Sequence, residues 1–363
     1  MPISNVTTSL LGQHLEFDID GIDVGFLNAI RRVALSEIPN VAVSFDSYHP
    51  ETSDVNVISN TSALHNEFTG HRISLLPLCF DSDEIESYDP IKYKFVIDET
   101  GPKLVTTGDI KVFDDVDNEY PASVREKIFP PDPITGTYII ITKLKTPDEK
   151  LHVEFAGRKG IAKMHTRWCP VNTCTYFNNL DVTEVTKARL AVDKTSDAAV
   201  NKFETLDKYR LFSKNEYDEP NSFHVIIESE CRMTPSYIWQ KAIDVVVAKL
   251  ESIGNPEKIV VQPIDQDNHL YAIQIKNEDH TLGNLLQVSL YNDYVRAQDT
   301  LDFAGYFQPH PLESDIICKI RFFEAHDDVA GFMKEAVDKA IVKLRAIGPV
   351  TKAVKTKVVK TKK

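Results

Sequence analysis

Residues 241–254, KAIDVVVAKLESIG, and residues 335–348, EAVDKAIVKLRAIG, carry one pattern twice. Ala, Asp, Lys-Leu, Ile and Gly stand at matching places in both. Ile243, Val246, Val247, Leu250 and Ile253 recur at helical spacing, as do Val337, Ala340, Ile341, Leu344 and Ile347. That period predicts an amphipathic helix in each stretch, over 236–253 and 327–347. Gly254 and Gly348 are placed as helix stops, with Pro256 and Pro349 just beyond them.

Working outward, each helix follows a strand-like run, FHVIIESE at 223–230 and DIICKIRFFE at 315–324. Farther upstream, DVGFLNAI at 23–30 answers to DHTLGNLL at 279–286, with Asp23 on Asp279, Phe26 on Leu282 and Asn28 on Asn284. Asp is a good N-cap at both starts, and Pro39 closes the first of these helices. HLEFDID at 14–20 and LYAIQIK at 270–276 precede them as strands, and TCTYFN at 173–178 and LDFAGYF at 301–307 complete the correspondence. Each copy therefore runs strand, helix, strand, strand, helix, an α+β unit with two helices on one face of its sheet. The alternative is that two amphipathic helices resemble each other as all such helices do; the shared order of elements favours a repeat.

The second copy is compact, over about 268–348, whereas the first is split by an insertion that begins near residue 47. IKYKFVID at 91–98 and YIIITKLK at 138–145 give the insertion a β-rich character. The expected division is 1–47 with 172–260 for the first unit, 48–171 for the insert, 264–348 for the second unit and 349–363 for a basic tail. Two such units on one chain are expected to pair about a pseudo-two-fold axis, since each full burial of a Leu or Ile contributes ~1.5–3 kcal/mol. The residues expected in that pairing are Asn28, Ile243, Val247, Leu250, Asn284, Leu285, Val337, Ile341 and Leu344.

The chain has 363 residues and a formal net charge of −13, with 42% hydrophobic and 26% charged residues. That is a globular composition, and an acidic body is a poor general phosphate binder. The N-terminal stretch MPISNVTTSLLGQHLEF has no basic run before an apolar core, so no signal peptide is expected, and no run approaches membrane-spanning length. A reducing compartment follows as an expectation. Cys79, Cys169, Cys174, Cys231 and Cys318 are odd in number and irregular in spacing, which argues against a disulfide framework. DSDEIESYD at 81–89 and DDVDNE at 114–119 are read as solvated acidic loops, and TKAVKTKVVKTKK at 351–363 as a solvated basic tail.

Several longer motifs carry a family resemblance. FLNAIRRVALSEIPNVAV at 26–43, NTSALHNEFTGHRISLLPL at 60–78 and GRKGIAKMHTRWCP at 157–170 resemble the third-largest subunit of eukaryotic and archaeal-type DNA-directed RNA polymerase. NEDHTLGNLLQVSLYND at 277–293 and FAGYFQPHPLESDIICKI at 303–320 resemble its small α-like partner subunit. Both are similar to the N-terminal domain of the bacterial α subunit. A fusion of the two is similar to what large nucleocytoplasmic DNA viruses encode, which implies a viral origin and a place in the host cytoplasm (a viral factory), the nucleus or the virion. The resemblance implies a non-catalytic platform within a nucleotidyltransferase complex, with the largest, second-largest and small polymerase subunits as partners. It implies an internal pseudo-dimer rather than a homodimer, and contact with DNA or RNA only through the complex.

Carried over by position, Arg31 and Arg32 would contact the second-largest subunit, while the second copy would lean on the largest. At least one of two adjacent Arg on a helix presents its guanidinium outward, suited to a carboxylate. His71, Arg72, Lys163, His165, Arg167 and Trp168 match segments that face neighbouring subunits; Trp168 also reads as ordinary core. Pro309, His310 and Pro311 match a hairpin that only turns the chain.

No catalytic constellation emerges, and no cofactor is expected. His65 and His71 are six apart, whereas a helical zinc pair needs four, and Glu67 between them does not repair the spacing. GRKGIAK at 157–163 lacks the P-loop spacing, and no Asp cluster for magnesium is present. The resemblance places a Cys cluster after 60–78, but only Cys79 stands there. His165, Cys169 and Cys174 could supply three zinc ligands; the preferred reading is buried free thiols and no metal, with 81–90 an acidic loop in place of a metal knuckle. The competing functional readings are a stand-alone nucleic-acid-binding α+β module, which would want aromatics with Lys or Arg along a sheet face, and an enzyme with an unrecognised site.

Overall fold

The computed structural model describes residues 2–9, 12–193, 196–230, 232–254, 258–265 and 267–350. The chain opens with β1 (Ile3–Ser9), β2 (His14–Asp20), α1 (Val24–Ser36) and β3 (Asn40–Ala42). It continues through β4 (Val55–Asn60), α2 (Asn66–Ser74), α3 (Ser82–Glu86), β5 (Lys94–Thr100), β6 (Lys103–Thr106), β7 (Lys111–Phe113), α4 (Ala122–Ile128), β8 (Ile140–Leu144), β9 (Lys150–Phe155) and β10 (Arg158–Gly160). Then come β11 (Val171–Asn178), α5 (Val182–Ala191), α6 (Asp197–Thr205), β12 (Ser222–Ser229) and α7 (Pro235–Ile253). The remainder is β13 (Ile259–Asp265), β14 (Leu270–Ile275), α8 (His280–Leu290), β15 (Leu301–Phe307), β16 (Ile316–Phe322) and α9 (Val329–Arg345).

Two compact units result, one of residues 1–34, 173–227 and 239–363, the other of residues 35–172 and 228–238. The first unit holds both copies of the repeat. Its sheets have strand orders β1-β2-β12-β11 and β13-β14-β16-β15, the same topology twice. In each copy the order strand, helix, strand, strand, helix stands as read, and the fold is α+β.

The inner faces explain why. Leu15, Phe17 and Ile19 of β2 alternate with half-buried acidic residues, and Phe223, Val225 and Ile227 of β12 are buried beside Trp239 of α7, whose ring meets Phe17 edge-on at 5.0 Å. In the second copy Ile273 and Ile275 of β14 and Ile316, Cys318, Ile320 and Phe322 of β16 face Leu282, Leu285 and Leu286 of α8 and the apolar stripe of α9. Period-two burial on the strands and a helical stripe above them close one core per copy.

Each copy also has a leading strand, β1 or β13, that the periodicity did not show. Both are sheet edges. In β1 only Val6 is buried, and β13 has no buried residue and contains Pro263. An edge strand with little to bury leaves little pattern in its sequence.

The other unit is built on a sheet ordered β4-β9-β5-β7, with the ribbons β6-β8 and β10-β3. Aromatic rings fill it: Phe95 meets Phe129 at 5.3 Å and Phe155 at 5.2 Å, and Phe80 meets Tyr88 at 5.1 Å. The acidic stretch 81–89 is not the solvated loop expected. Asp81 and Glu84 form a capping box on α3, Ile85 and Tyr88 are buried, and Lys127 reaches both Asp81 (2.8 Å) and Glu84 (2.6 Å). Two apolar anchors and one cation turn a charge run into structure; the hydrogen bond from Lys127 also holds the Asp81 carboxyl below its ordinary range. Residues 114–119 do form an exposed turn, with the Asp114 carboxylate accepting from the backbone N–H of Val116 and Asn118. The tail 351–363 lies outside the described residues.

One expectation about cysteine is corrected. Cys79 is disulfide-bonded, while Cys169, Cys174 and Cys318 are free thiols. Spacing along the chain does not report which sulfurs meet in space. Among the described residues no helix is long and apolar enough to cross a membrane.

Candidate subunit interface

The two copies meet helix to helix, and the contacts are reciprocal. Aligned from Asp23 on Asp279, Gly25 answers to Thr281 and Arg32 to Val288. Arg32 Nε donates to Thr281 Oγ1 at 3.0 Å. On the other side of the axis, a Cβ placed on Gly25 would lie 2.9 Å from Val288 Cγ2. Position a of one copy thus meets position b of the other, and b meets a, which defines a two-fold relation. At the last helices, Arg345 bonds Glu251 at 2.7 Å, and these are equivalent residues of α9 and α7. A residue that meets its own counterpart lies at the axis.

Polar groups fasten the rest. Asn292 donates to Asp23 at 2.9 Å, and the Lys343 ammonium stands 5.9 Å from the centre of the Phe26 ring. Glu278, whose side chain is 3% exposed, takes Lys249 at 3.1 Å and Lys258 at 3.0 Å. Arg296 grips Glu219 with two bonds of 2.8 and 3.0 Å and lies between the rings of Tyr217 and Tyr291, so its charged form is strongly favoured. Of the expected pairing residues, Ile243, Val247, Leu250, Leu285, Val337, Ile341 and Leu344 are buried, while Asn28 and Asn284 are half-buried. Ile243, Val247 and Glu251 line one groove together with Arg345 and Ile347.

The arginine pair divides. Arg32 is exposed and bonded to Thr281 of the second copy; Arg31 is half-buried, and its Nε donates to Asn28 Oδ1 at 3.0 Å. In the other unit, His71, Lys163 and His165 are exposed. Arg72 docks α2 on β8 through the carbonyl oxygens of Ile140 (2.7 Å) and Ile141 (2.8 Å). Arg167 donates to Val43 O at 2.8 Å and to His165 Nδ1 at 3.1 Å. Burial first, then the charges of Arg167 and His71, hold His165 below its ordinary 6.5, so the imidazole is an acceptor at neutral pH. Trp168 is core: it is 4% exposed and its indole N–H donates to Arg158 O at 3.0 Å. Phe68 and Met164, at 58% and 70% exposure, are apolar surface that the sequence reading did not single out.

The other candidate ligands are occupied or scattered. The Cys169 thiol lies 3.1 Å from Val171 O, which accepts from it, and His65 lies tilted against Phe68 with ring centres 4.5 Å apart while Glu67 accepts from Ser47. Among the described residues no group of three or more His, Cys, Asp or Glu side chains is placed to hold a metal ion. Cys318 is fully buried, which pushes its thiol up to about 12. Pro309, His310 and Pro311 sit in the β15–β16 turn, closed by Glu313 N–H donating to His310 O.

Comparison with known proteins returns one description twice. A model of the RNA polymerase Rpb3/Rpb11 dimerisation domain matches residues 16–250, and a second model of that description matches residues 271–348. The chain belongs to this family. The first Rpb3/Rpb11 match begins in β2 and ends in α7, spanning the insert, and the second begins in β14 and runs past α9. Among relatives, DNA-directed RNA polymerase subunit Rpo3 of Methanobrevibacter smithii is 31% identical over 176 residues, 46% of this chain and 55% of the relative. DNA-directed RNA polymerases IV and V subunit 3B of Arabidopsis thaliana is 25% identical over 284 residues, 73% of this chain and 80% of the relative. DNA-directed RNA polymerases I and III subunit RPAC1 of Saccharomyces cerevisiae is 25% identical over 299 residues, 68% of this chain and 85% of the relative. The chain thus spans about half the length of the archaeal relative it matches. Sequence reading missed Gly25, Glu278, Thr281 and Val288 because they differ between the copies, and a search for likeness passes over differences.

Proposed function

We propose that this chain is a non-catalytic assembly subunit of a multisubunit DNA-directed RNA polymerase, on which the largest and second-largest subunits dock. One observation carries the reading: two Rpb3/Rpb11-type dimerisation domains lie in one chain and close on each other. A closed pair with unlike halves offers two unequal surfaces to two unequal partners. We take the second copy as the fused small α-like partner subunit, the whole as viral in origin, and its place of action as the viral factory, nucleus or virion. Arg31, His71, Lys163 and His165 are the proposed contacts, Arg31 foremost, because a desolvated Arg–carboxylate pair can cost about 2–5 kcal/mol when one partner is truncated. Affinity purification of the tagged chain from its native source, followed by mass spectrometry, tests this; absence of any polymerase subunit from the recovered material would sink it.

A nucleic-acid reading has one observation in its favour. Phe303 and Phe307 of β15 share the outer sheet face with Lys319 and Arg321 of β16. Yet Arg321 is paired with Asp302 and Lys319 lies over Phe307, so little positive charge is left for phosphate. Salt-sensitive binding of a single-stranded RNA oligonucleotide by the purified chain, lost on Phe303→Ala, would favour that reading over the platform.

A further inference from the structure

The described residues end at Val350, and Ile347, near that end, lines a groove against α7. Ile243 and Val247 of α7 join Ile347 as its apolar floor. Asp244, Ala248 and Glu251 stand exposed along its α7 rim. Asp244 accepts from Gln240 Nε2 at 3.1 Å, and Glu251 meets Arg345 at 2.7 Å. Both members of that ion pair are exposed, so it is weak and open to competition. The groove encloses about 320 Å³, room for a few small apolar side chains.

What the sequence supplies next fits this groove. Residues 351–363, TKAVKTKVVKTKK, hold six Lys, three Val and no acid. Lys can answer the carboxylates of the rim while Val and Ala meet the floor. Two helix ends add to the attraction. α7 stops at Ile253 and α9 at Arg345, and the Arg345–Glu251 contact brings these ends together. Each helix presents the negative end of its dipole there, where cations are favoured. Reach is sufficient. From Glu251 back to Gln240, α7 runs roughly 16 Å. An extended chain gains roughly 3.3 Å per residue, so residues 351–357 span that length.

Glu16, Asp18 and Asp20 on β2 offer a second acidic strip in the same unit, but its carboxylates are already engaged. His14 bonds Glu16 at 2.9 Å, His224 bonds Asp18 at 2.7 Å, and Ser222 donates to Asp20. We propose that residues 351–363 occupy the groove between α7 and the end of α9, with Lys on Asp244 and Glu251 and Val on Ile243 and Val247. The groove is then a docking site for the chain's own basic segment, and the lysines it engages are withheld from nucleic-acid phosphate. The proposal concerns one compact unit and does not rest on the polymerase reading.

Carbodiimide cross-linking of the full chain tests it, because the reagent joins a carboxylate to a lysine amine only where the two touch. Peptide mass spectrometry should find Lys352, Lys355 or Lys357 joined to Asp244 or Glu251. Mixing isotope-labelled with unlabelled chains should give no mixed products. In about 1 M salt, where the Debye length is about 3 Å, the yield should fall by about fivefold or more. Ala248→Arg fills the rim with a cation at an exposed position and should lower the yield as far, with unchanged circular dichroism. If that variant fails to fold, Asp244→Lys takes its place, with Glu251 as the reporting carboxylate. Cross-links as heavy on Glu16, Asp18 and Asp20 as in the groove, mixed products between chains, or a yield that neither variant lowers would each overturn the proposal.

Discussion

The sheet of the first copy turns Glu16, Asp18 and Asp20 outward, whereas the sheet of the second turns Phe303, Phe307, Lys319 and Arg321 the same way. Their inner faces, by contrast, are interchangeable in kind: Leu15, Phe17 and Ile19 on one, Ile316, Cys318 and Ile320 on the other. The junctions differ as well. Between α1 and β11 the first copy carries the other compact unit, while between α8 and β15 the second has a π-helical turn over Tyr291–Arg296 and a few further residues. Burial constrains only the side that is buried, so the repeat kept its core and topology while faces and loops were free to acquire separate tasks.

The largest expected effect tests whether the two cores contribute alike. Leu250 and Leu344 are equivalent and fully buried. Leu250→Ala and Leu344→Ala should each cost ~2–5 kcal/mol in denaturant unfolding. Costs that differ by more than about 2 kcal/mol would mean that the copies share a topology but not an energetic role.

Glu278→Ala comes next, because it removes the buried carboxylate that Lys249 and Lys258 share. The loss should be about 3 kcal/mol, at the low end for a broken buried pair since both ammonium groups reach water. The counterpart change Ile22→Ala removes only packing, at ~2–5 kcal/mol, and should be insensitive to salt. Equal salt dependence in the two variants would count against an electrostatic difference between the copies.

The arginines sharpen the comparison further. Arg32→Ala should lower stability by about 1 kcal/mol through the lost bond to Thr281, and Arg31→Ala by less. Recovery of the second-largest polymerase subunit should follow the opposite order, with Arg31→Ala the more damaging. If both variants recover it as the parent does, the proposed docking residue is wrong.

Cysteine chemistry separates core from surface without mutation. Cys318, pushed up to about 12 by burial, should resist iodoacetamide in the native state at pH 8, while half-buried Cys169 should label first, as read by peptide mass.

The smallest effect lies outside the repeat. His165 is held below 6.5, so protons bind the unfolded chain more readily than the folded one. Its contribution to stability is complete above pH 6.5 and is lost as pH falls through the folded value. The effect should be slight, since the ring is exposed. His165→Gln should flatten a small drop in melting temperature on that acid side; an unchanged slope would show that other groups set it.

Much of this was legible in the chain. Period-two and helical burial put the strands and helices of both copies where the structure has them, because a buried stripe must repeat with its backbone. β1 and β13 were not legible, since edge strands with mostly unburied side chains write no such stripe. Residues 81–89 were misread because charge count hid Ile85 and Tyr88, the residues that place α3. Trp168 reads along the chain as either core or surface; its burial and the indole N–H donating to Arg158 O make it core.

By itself, the sequence determined the repeat, its α+β order and the membership in a family of dimerisation domains, all properties of patterns that run along the chain. Only the tertiary structure decided that Gly25 stands against Val288, that Arg32 turns to Thr281 while Arg31 does not, that Glu278 is buried between two lysines, and that Cys79 is disulfide-bonded. The reason is physical. Periodicity states which face of an element leaves water, but what lies across from that face is set by the packing of distant segments, which no local pattern encodes.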